Sequence, residues 1–505
     1  MNQRYRASDQ MVSPQTGRRR ADLTSTTAVR IAATLVSGVL FYFGTGLEPW
    51  AWCVWLAPLP LLVVVPRARG LTAFGMSAVA WLGGESALWQ YFLGSLSLPV
   101  VPALLIIIGS AVLFGFVGVG FGALVRSGHP LVAAFMVPAS WAAAEYVMSL
   151  AGPFGAWWSL AYTQVDVLPV VQVASVTGRW GITFLLLLVP ATVAVLLNAG
   201  PRKAKVRVAV SSVVLVAVAL GYGGWRMTTP SGDSSRVAAV TVEQSFLPVE
   251  ITSEEGKNLV ARFVAALQSP SLDGARVVVL PEKALATDAA SLHLITDPLA
   301  RIATQRDFDV VVGILLTEGE DAGVNQAIDL PANGAPVRYE KHHLIPGLES
   351  DLTPGEGTAT IPGSDGRWGL AICFDLDFPQ LLRDNRDIGV TAMFVPGWDF
   401  DTDAWLHSRK AVLGGVEYGL SLVRSARNGA LTVSDPMGRV TAEARSADGP
   451  AVIVSTDLPA ATAPTVYAQI GDLFAWACLA FLVFLALSAM TRTRHADRAR
   501  RRSEG

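Results

Sequence analysis

Charge is what this 505-residue chain has least of. Asp, Glu, Lys and Arg make up 16% of it and hydrophobic residues 51%, whereas a water-soluble domain carries about a quarter charged residues. A mean hydropathy of +0.43 excludes a wholly soluble protein. Cysteine is scarce as well: Cys53, Cys373 and Cys478 are the three in the chain, too few for a disulfide framework. There is no internal repeat, no cluster with metal-ligand spacing and no glycine-rich phosphate loop ahead of a helix. The reading is therefore of a protein without a metal, nucleotide or redox cofactor, and without a nucleic-acid partner.

Long apolar runs take the place of charge. They cover about Val29–Gly46, Ala51–Val65, Leu71–Leu93, Val100–Val125, Leu131–Leu150, Gly181–Leu197, Val206–Tyr222 and Gly471–Met490. Crossing a bilayer takes roughly 20 apolar residues, so about eight transmembrane helices are expected, the second being the shortest. A single cleaved leader does not account for runs that recur along the chain. Basic residues fall in every other connection: Arg18, Arg19 and Arg20 before the first run, Arg67 and Arg69 after the second, Arg126 after the fourth, Arg202 to Arg207 after the sixth, and Arg492 through Arg502 at the end. The alternate connections Thr45–Pro49, Gly94–Pro99 and Ala151–Pro169 hold no Lys or Arg. By the positive-inside rule both termini are cytoplasmic and the long segment between the last two runs is extracytoplasmic. The expected organisation is a disordered cytoplasmic tail (1–28), a bundle of about seven helices (29–229), a soluble domain (230–467), a final transmembrane helix (468–490) and a basic, disordered cytoplasmic tail (491–505).

Charged residues return in the soluble segment, and short β-branched runs alternate with helical patterns. Strands are expected at Val237–Val242, Arg276–Leu280, Asp309–Leu316, Trp368–Cys373, Thr391–Val395, Leu420–Ser425, Leu431–Ser434 and Ala451–Ser455. Helices are expected at Thr252–Gln268, Ala289–Gln305, Pro379–Asp387 and Ala404–Tyr418. This is the pattern of one α/β domain.

Cys53 and Cys478 lie in apolar helices, where cysteine packs as a small hydrophobe. Cys373 differs. In "GRWGLAICFDLDFPQLLRDN" an apolar strand delivers it into Asp375 and Asp377, with Phe378-Pro379 behind. Two other segments share that setting. In "ARVVVLPEKALATD" a strand runs into Pro281 and Glu282; in "VRYEKHHLIPGLESDLTPGEG" a strand end brings Lys341, with Glu349 in the following loop. Loops gather into sites where strands stop. A thiol is a poor nucleophile until a base takes its proton or a cation lowers its pKa. A carboxylate such as Glu282 could do the first, and Lys341 could stabilise the oxyanion that follows. An ordinary surface role fits either residue alone equally well, and His342 or His343 could pair with the thiol instead.

The ordered set Pro-Glu, Lys-x-x-Leu-x-Pro and Cys-Phe-Asp resembles the nitrilase, or carbon–nitrogen hydrolase, superfamily. That resemblance implies an α-β-β-α sandwich and a triad of Glu282 as general base, Lys341 as oxyanion stabiliser and Cys373 as nucleophile, with Glu349 and Asp375 in support. The membrane part narrows it. "SWAAAEYVMSLAGPFGAWWSLAYTQVDVLPVVQVASVTGRWGITFLL" carries Trp141, Glu145, Phe154, Trp158, Tyr162, Gln164, Gln172, Ala174, Gly178, Gly181 and Phe184, and "TVYAQIGDLFAW" leads into the last run. These are similar to landmarks of the apolipoprotein N-acyltransferase family. The resemblance implies transfer of a phospholipid acyl chain, through a Cys373 thioester, to the amine of a diacylglyceryl-cysteine lipoprotein at a bacterial cytoplasmic membrane. Trp398 and Trp158 are candidate substrate contacts, and Arg179, near the outer end of the sixth helix on the face that lacks other basic residues, is a candidate for a lipid phosphate or a snorkelling interfacial arginine. Departures from the family pattern, Phe374-Asp375 after the nucleophile and "VPGWDFDTDAW" in the next loop, keep a membrane-tethered amidase open as the alternative.

Overall fold

The computed structural model describes residues 15–96, 98–228, 234–318, 321–459 and 463–503. Among them, six helices are long and apolar enough to cross a membrane: Thr26–Gly44, Val100–Arg126, Pro130–Ala151, Arg179–Leu197, Arg202–Arg226 and Leu473–Thr491. Two of the apolar runs take other forms. Residues 51–67 break into Ala51–Leu56, Pro58–Val64 and a short 3-10 turn, because Pro58 and Pro60 have no N–H for a continuous helix ladder and Pro58 sits in the first turn of a new one. The third run gives a 15-residue helix, Leu71–Glu85, followed by a π-turn at Tyr91–Ser95.

Both tails depart from expectation. The first helix begins at Gln15 and the last continues to Ser503, so much of what reads as disordered is helical. Extending a helix already anchored by an apolar span costs little, and Arg and Ala are good helix formers. Residues 1–14 of the expected N-terminal tail and 504–505 of the basic tail lie outside the described residues, as does the junction at 229–233.

Fourteen strands follow among the described residues: β1 (Ser234–Val242), β2 (Val249–Glu250), β3 (Val277–Val279), β4 (Leu285–Thr287), β5 (Asp309–Glu318), β6 (Asp321–Leu330), β7 (Val337–Glu340), β8 (Thr360–Pro362), β9 (Arg367–Leu370), β10 (Val390–Trp398), β11 (Ser421–Arg427), β12 (Ala430–Ser434), β13 (Val440–Arg445) and β14 (Ala451–Pro459). One sheet runs β14-β1-β3-β5, with β6 and β7 beyond β5 and β4-β2 alongside its second half; the other runs β13-β12-β11-β10-β9-β8. Side chains alternate along β1: Val237 and Ala239 enter the layer between the sheets, while Ala238, Val240 and Val242 pack toward the helices Glu254–Leu267 and His293–Arg306. Burial on both faces is why this strand reads as a continuous apolar run. Helices Pro379–Asp387 and Ala404–Tyr418 cover the outer face of the second sheet, completing four layers. All eight expected strands and all four expected helices are present. The six strands without counterparts, β2, β4, β6, β7, β8 and β13, are short, polar or lie at sheet edges.

The helix Ala404–Tyr418 joins the two halves of the molecule. Ala411 and Tyr418 pack on the sheet side, whereas Leu406, Val412, Leu413 and Val416 belong to the core of the helical bundle. Around it, the three connections that lack Lys and Arg meet the sheet domain, the second of them through Ser95, whose hydroxyl lies 3.4 Å from that of Thr402. Glu48 pairs with Arg445, the amide of Ala156 donates to the carbonyl of Asp377 at 2.7 Å, and Asp166 pairs with Arg409 at 2.7 Å. At the opposite end, Arg126 donates to the carbonyl of Ala68 at 2.7 Å and Arg30 to that of Arg67 at 2.6 Å.

Arg179 does not fill the role of a lipid-phosphate contact. It is 1% exposed, and its guanidinium grips Glu417 of the Ala404–Tyr418 helix through Nε at 3.0 Å and Nη2 at 2.6 Å. Hydropathy places it at a membrane interface, but the docked sheet domain covers that interface and brings a buried carboxylate. Removing one partner of such a pair leaves an uncompensated buried charge. Arg179→Met or Glu417→Met is therefore expected to destabilise the protein by about 3–5 kcal/mol. The double variant should lose markedly less than the sum, measured by thermal unfolding in detergent; additive losses would show that the pair does not couple the two halves.

Candidate active site

Three strand ends on the two sheets converge. β3 stops at Val279, and after it the amide of Leu280 still bonds the carbonyl of Val311 at 2.7 Å, while the amide of Glu282 crosses to the carbonyl of Gly397 at 3.2 Å. The crossing is possible because residue 313 of β5 is glycine: a Cβ there would stand 2.5 Å from the Cα of Glu282. β7 ends at Glu340, and Lys341 follows with its amide on the carbonyl of Asn325 at 2.8 Å. β9 ends at Leu370, and Cys373 opens a 3-10 turn at φ 42°, a left-handed conformation that a non-glycine residue holds only when its surroundings impose it.

Asp375 supplies that constraint. Its Oδ2 accepts from the amide of Ile372 at 3.0 Å and the hydroxyl of Tyr339 at 2.8 Å, and its Oδ1 from the amide of His343 at 2.9 Å. One buried carboxylate thus ties the Cys373 turn, β7 and the Lys341 loop together. His343 is taken up by this carboxylate and by stacking on Phe378 at 3.6 Å, so the contacts of its ring run to Asp375 and Phe378 rather than to the thiol.

The charged groups form one buried network. Lys341 Nζ donates to Glu282 Oε1 and to Glu349 Oε2, each at 2.8 Å. Asn325 Nδ2 bridges Glu282 Oε1 at 2.7 Å and Glu349 Oε1 at 3.0 Å. Lys283 pairs with Glu349, whose Oε2 also takes the amide of Ile345 at 3.0 Å. Burial opposes the charged form of Glu349, but Lys341 and Lys283 outweigh it and hold the carboxyl down to about 2. Burial and, after it, Glu282 push the Cys373 thiol up, against the smaller opposing pull of Lys341 and Arg424. The sulfur is therefore a protonated thiol at neutral pH and needs a base to attack. Burial works against the charged form of Lys341, yet Glu282 and Glu349 raise it above the usual lysine range, so it stays an ammonium.

Glu282, Lys341, Cys373, Glu349 and Asp375 thus meet in one place. Lys283, Asn325, Arg424 and Asp399 are there too and were not anticipated. Lys283 stands next to Glu282 in "PEK" and was legible in principle; Asn325 sits in a polar strand with no motif around it. Cys373 Sγ, a carboxylate oxygen of Asp399 and a ring nitrogen of His407 lie within 4.8 Å of one another, a set that could hold a metal by position alone. The chemistry does not fit one. Arg424 grips both oxygens of Asp399, with Nη1 on Oδ2 at 2.9 Å, and would set a guanidinium against the ion.

Trp398 borders Cys373: its carbonyl lies 3.5 Å from the Sγ. Its side chain and those of Phe374 and Leu348 form one wall of an apolar cavity whose other wall is Tyr91, Phe92, Phe154 and Trp157 of the bundle. Phe92, Ile106, Phe154 and Trp157 also line a second cavity of about 370 Å³ that runs on into the bundle past Trp158, Trp141, Glu85 and Glu145. Trp158 is thus in the wall of the passage, while Arg179 is spent on Glu417. Glu85 is bonded by Trp81 at 2.8 Å and Ser110 at 3.1 Å, and Glu145 by Ser159 at 2.7 Å and Thr183 at 2.8 Å, so both bundle carboxyls have partners. Phe400, packed with Trp398 and Phe246, separates the apolar cavity from a more open, polar cleft lined by Gln244, Asp401, Asn428 and Ser446.

Comparison with known proteins agrees with this division. Residues 37–192 match the family model of the apolipoprotein N-acyltransferase N-terminal domain, and residues 236–463 match that of carbon-nitrogen hydrolases. An apolipoprotein N-acyltransferase of Geobacter metallireducens is 25% identical over 91% of this chain and 95% of its own length. One from Bradyrhizobium diazoefficiens is 27% identical over 67% of this chain and 70% of its own. Among solved structures, an amidase from Nesterenkonia sp. aligns with 48% of this chain and 96% of its own, at 18% identity and a TM-score of 0.40.

Glu349 offers a test of the network. Its folded-state pKa of about 2 lies below the ordinary 4.5, so its stabilisation is complete above the ordinary value and is lost as pH falls through the folded one. At neutral pH Glu349→Gln leaves two lysines short of a partner and should cost about 3–5 kcal/mol. The gap in unfolding temperature between wild type and variant should narrow from pH 4.5 towards 2. A gap that is constant across that window would contradict the ion-paired assignment.

Proposed function

The chain belongs to the apolipoprotein N-acyltransferase family, a membrane-bound branch of the carbon-nitrogen hydrolases, and on that premise we propose that it transfers a fatty acyl chain from a phospholipid, through a thioester on Cys373, to the N-terminal amine of a diacylglyceryl-cysteine lipoprotein. The observation that carries the reading is a buried thiol with a carboxylate–ammonium network on one side and an apolar passage into a helical bundle on the other.

Glu282 acts as the general base. Both of its described hydrogen bonds fall on Oε1, which leaves Oε2 to take the thiol proton as sulfur attacks the ester carbonyl. Lys341 spends two N–H bonds on Glu282 and Glu349 and keeps a third for the oxyanion, where a fixed cation in a dry site is most effective. The C–O bond breaks, Glu282 returns the proton to the leaving lysophospholipid, and the acyl chain remains on sulfur. In the second half the amine attacks the thioester, Glu282 takes a proton from the nitrogen, and the sulfur departs and is reprotonated. Glu349 keeps Lys341 in place, and Asp375 holds the nucleophile turn.

The bilayer explains the architecture. Each CH₂ withdrawn from it costs about 0.8 kcal/mol, so a tail of roughly 16 carbons stays in lipid or moves into an equally apolar passage. Phe92, Phe154, Trp157 and Trp158 furnish one. We place about eight crossings in a bacterial cytoplasmic membrane, with both termini cytoplasmic and the catalytic domain, from about 230 to 467, outside. The clustering of Arg30, Arg67 and Arg126 at the end of the bundle remote from that domain supports this orientation. The same apolar cover keeps water from the thioester, without which the enzyme becomes a phospholipase.

Incubated with phospholipid and no acceptor, the wild type should gain one acyl chain at residue 373, and Cys373→Ala none, by mass spectrometry of digested protein. Adding a diacylglyceryl peptide should discharge it as acyl-peptide. Glu282→Gln should slow acylation by about 10²–10⁴-fold, and Lys341→Met by at least about 10²-fold. Hydrolysis of simple amides with no acyl-peptide formed would favour the amidase alternative. An adduct on Cys53 or Cys478 would overturn the assignment of the nucleophile.

A further inference from the structure

Most charged side chains in this site are matched, but Arg427 is not. It closes β11, is fully buried, and none of its three guanidinium nitrogens has a hydrogen-bond partner. Three residues earlier on the same strand, Arg424 is bound to Asp399, which shows what a settled arginine looks like here. The guanidinium of Arg427 lies 3.8 Å from the ring centroid of Trp398, and β10–β11 pairing sets the two residues opposite each other. Trp398 Nε1 is itself a buried donor without an acceptor, as is the amide nitrogen of Asn428, the next residue along. Unfilled donors from three residues therefore adjoin the partition: Trp398 lines the apolar cavity, Arg427 lies over its ring, and Asn428, next in the chain, lines the polar cleft.

A buried cation without a counter-ion is costly, and leaving its neighbours unsatisfied adds to that cost. Burial lowers Arg427 only to about 10, with Glu282 and Cys373 pulling the other way at longer range, so it is charged at neutral pH. A planar guanidinium beside an indole N–H suits a group that offers several anionic oxygens on one centre.

We propose that Arg427, with Trp398 Nε1 and Asn428, forms a subsite for the phosphodiester of the acyl donor, beside the nucleophile. The proposal rests on the transfer reaction argued above. In a glycerophospholipid the ester carbonyl and the phosphate are one glycerol backbone apart. With the carbonyl at Cys373 and the tail in the apolar passage, the phosphate reaches the Trp398–Phe400 partition and the headgroup emerges into the polar cleft. Arg427 thereby sets which lipids are used: donors that carry a phosphate, in preference to neutral glycerides with the same chains.

The test compares two donors with identical acyl chains, phosphatidylethanolamine and 1,2-diacylglycerol, presented in micelles to the full-length protein, with the rate of acyl addition to Cys373 read by mass spectrometry. Wild type should favour the phospholipid. Arg427→Met, which keeps an apolar stem over Trp398, should lower that rate by about tenfold to a hundredfold and leave the diacylglycerol rate within about threefold, erasing the preference. Arg427→Lys should restore part of it. Millimolar inorganic phosphate should not displace the donor; if it abolishes the preference, the site is one for free anions and the proposal fails. Equal slowing of both donors would reduce Arg427 to a structural residue, and an undiminished preference would remove it from recognition; either overturns the proposal. If wild type acquires no acyl group from either lipid, the transfer reaction itself is wrong and the subsite falls with it.

Discussion

The contact between Lys341 and its two carboxylates decides what this site can do. An ammonium buried to zero exposure is tolerable only with compensation, and Glu282 and Glu349 provide it from two different segments. Glu349 in turn needs Lys283. Two carboxylates and two ammonium groups cancel, so the network adds no net field that would ionise the thiol in advance. Burial then keeps Cys373 protonated, and in the proposed mechanism the thiolate forms only in step with attack, when Glu282 is there to take the proton. A thiol held in this way is protected from stray oxidation and alkylation, since it is the thiolate that reacts. For a cysteine that the proposed orientation places outside the cytoplasm this matters.

The second constraint is docking. In a four-layer sandwich standing alone, the outer faces of the helices would meet water. Here the helix Ala404–Tyr418 has its outer face in the bundle core, which explains why nearly all of its residues are buried. Its polar side chains are absorbed one by one: Lys410 by Asp377 at 2.6 Å, Arg409 by Asp166 and Glu443, Glu417 by Arg179. Asp377 also accepts the amide of Ala156 on its carbonyl, so the turn that carries Cys373 is fastened directly to a loop of the bundle. Position of the thiol and position of the apolar passage are therefore set by the same contacts.

Much of this was legible in the sequence because the signals were local. β-branched runs that end in Pro-Glu, Glu-Lys and Cys-Phe-Asp marked the strand ends, and the long core strands and the four helices of the domain fell where periodicity put them. What was not legible came from contacts between distant segments. Asn325 bridges Glu282 and Glu349 from a strand whose polar, non-alternating pattern hides it. Arg179 looked like an interfacial arginine because hydropathy sees only its own helix, not a carboxylate 238 residues away in sequence. Position 373 reads as the end of a strand, yet its positive φ comes from Asp375 folding back on Ile372. The broken helix at Pro58 and the helical tails show the reverse error, in which composition overrides backbone chemistry.

The walls of the site carry opposite chemistry, and the partition between them is aromatic. On the bundle side, Phe92, Phe154 and Trp157 offer no hydrogen bonds to a ligand chain and admit it by shape. On the sheet side, Gln244, Asn428 and Ser446 suit polar groups. Phe400 lines both, and Trp398 packs beside it: the Trp398 ring faces the apolar cavity, its carbonyl lies by the thiol, and Lys283 and Arg427 both lie over its indole, at 5.0 and 3.8 Å. A cation held over an aromatic face is stabilised without being neutralised; Lys283 is spent on Glu349, so it is Arg427 that keeps positive charge available at the boundary. An amphipathic substrate has the same division, tail on one side and ester and headgroup on the other. The boundary at which it must lie is the one on which the sulfur of Cys373 is placed.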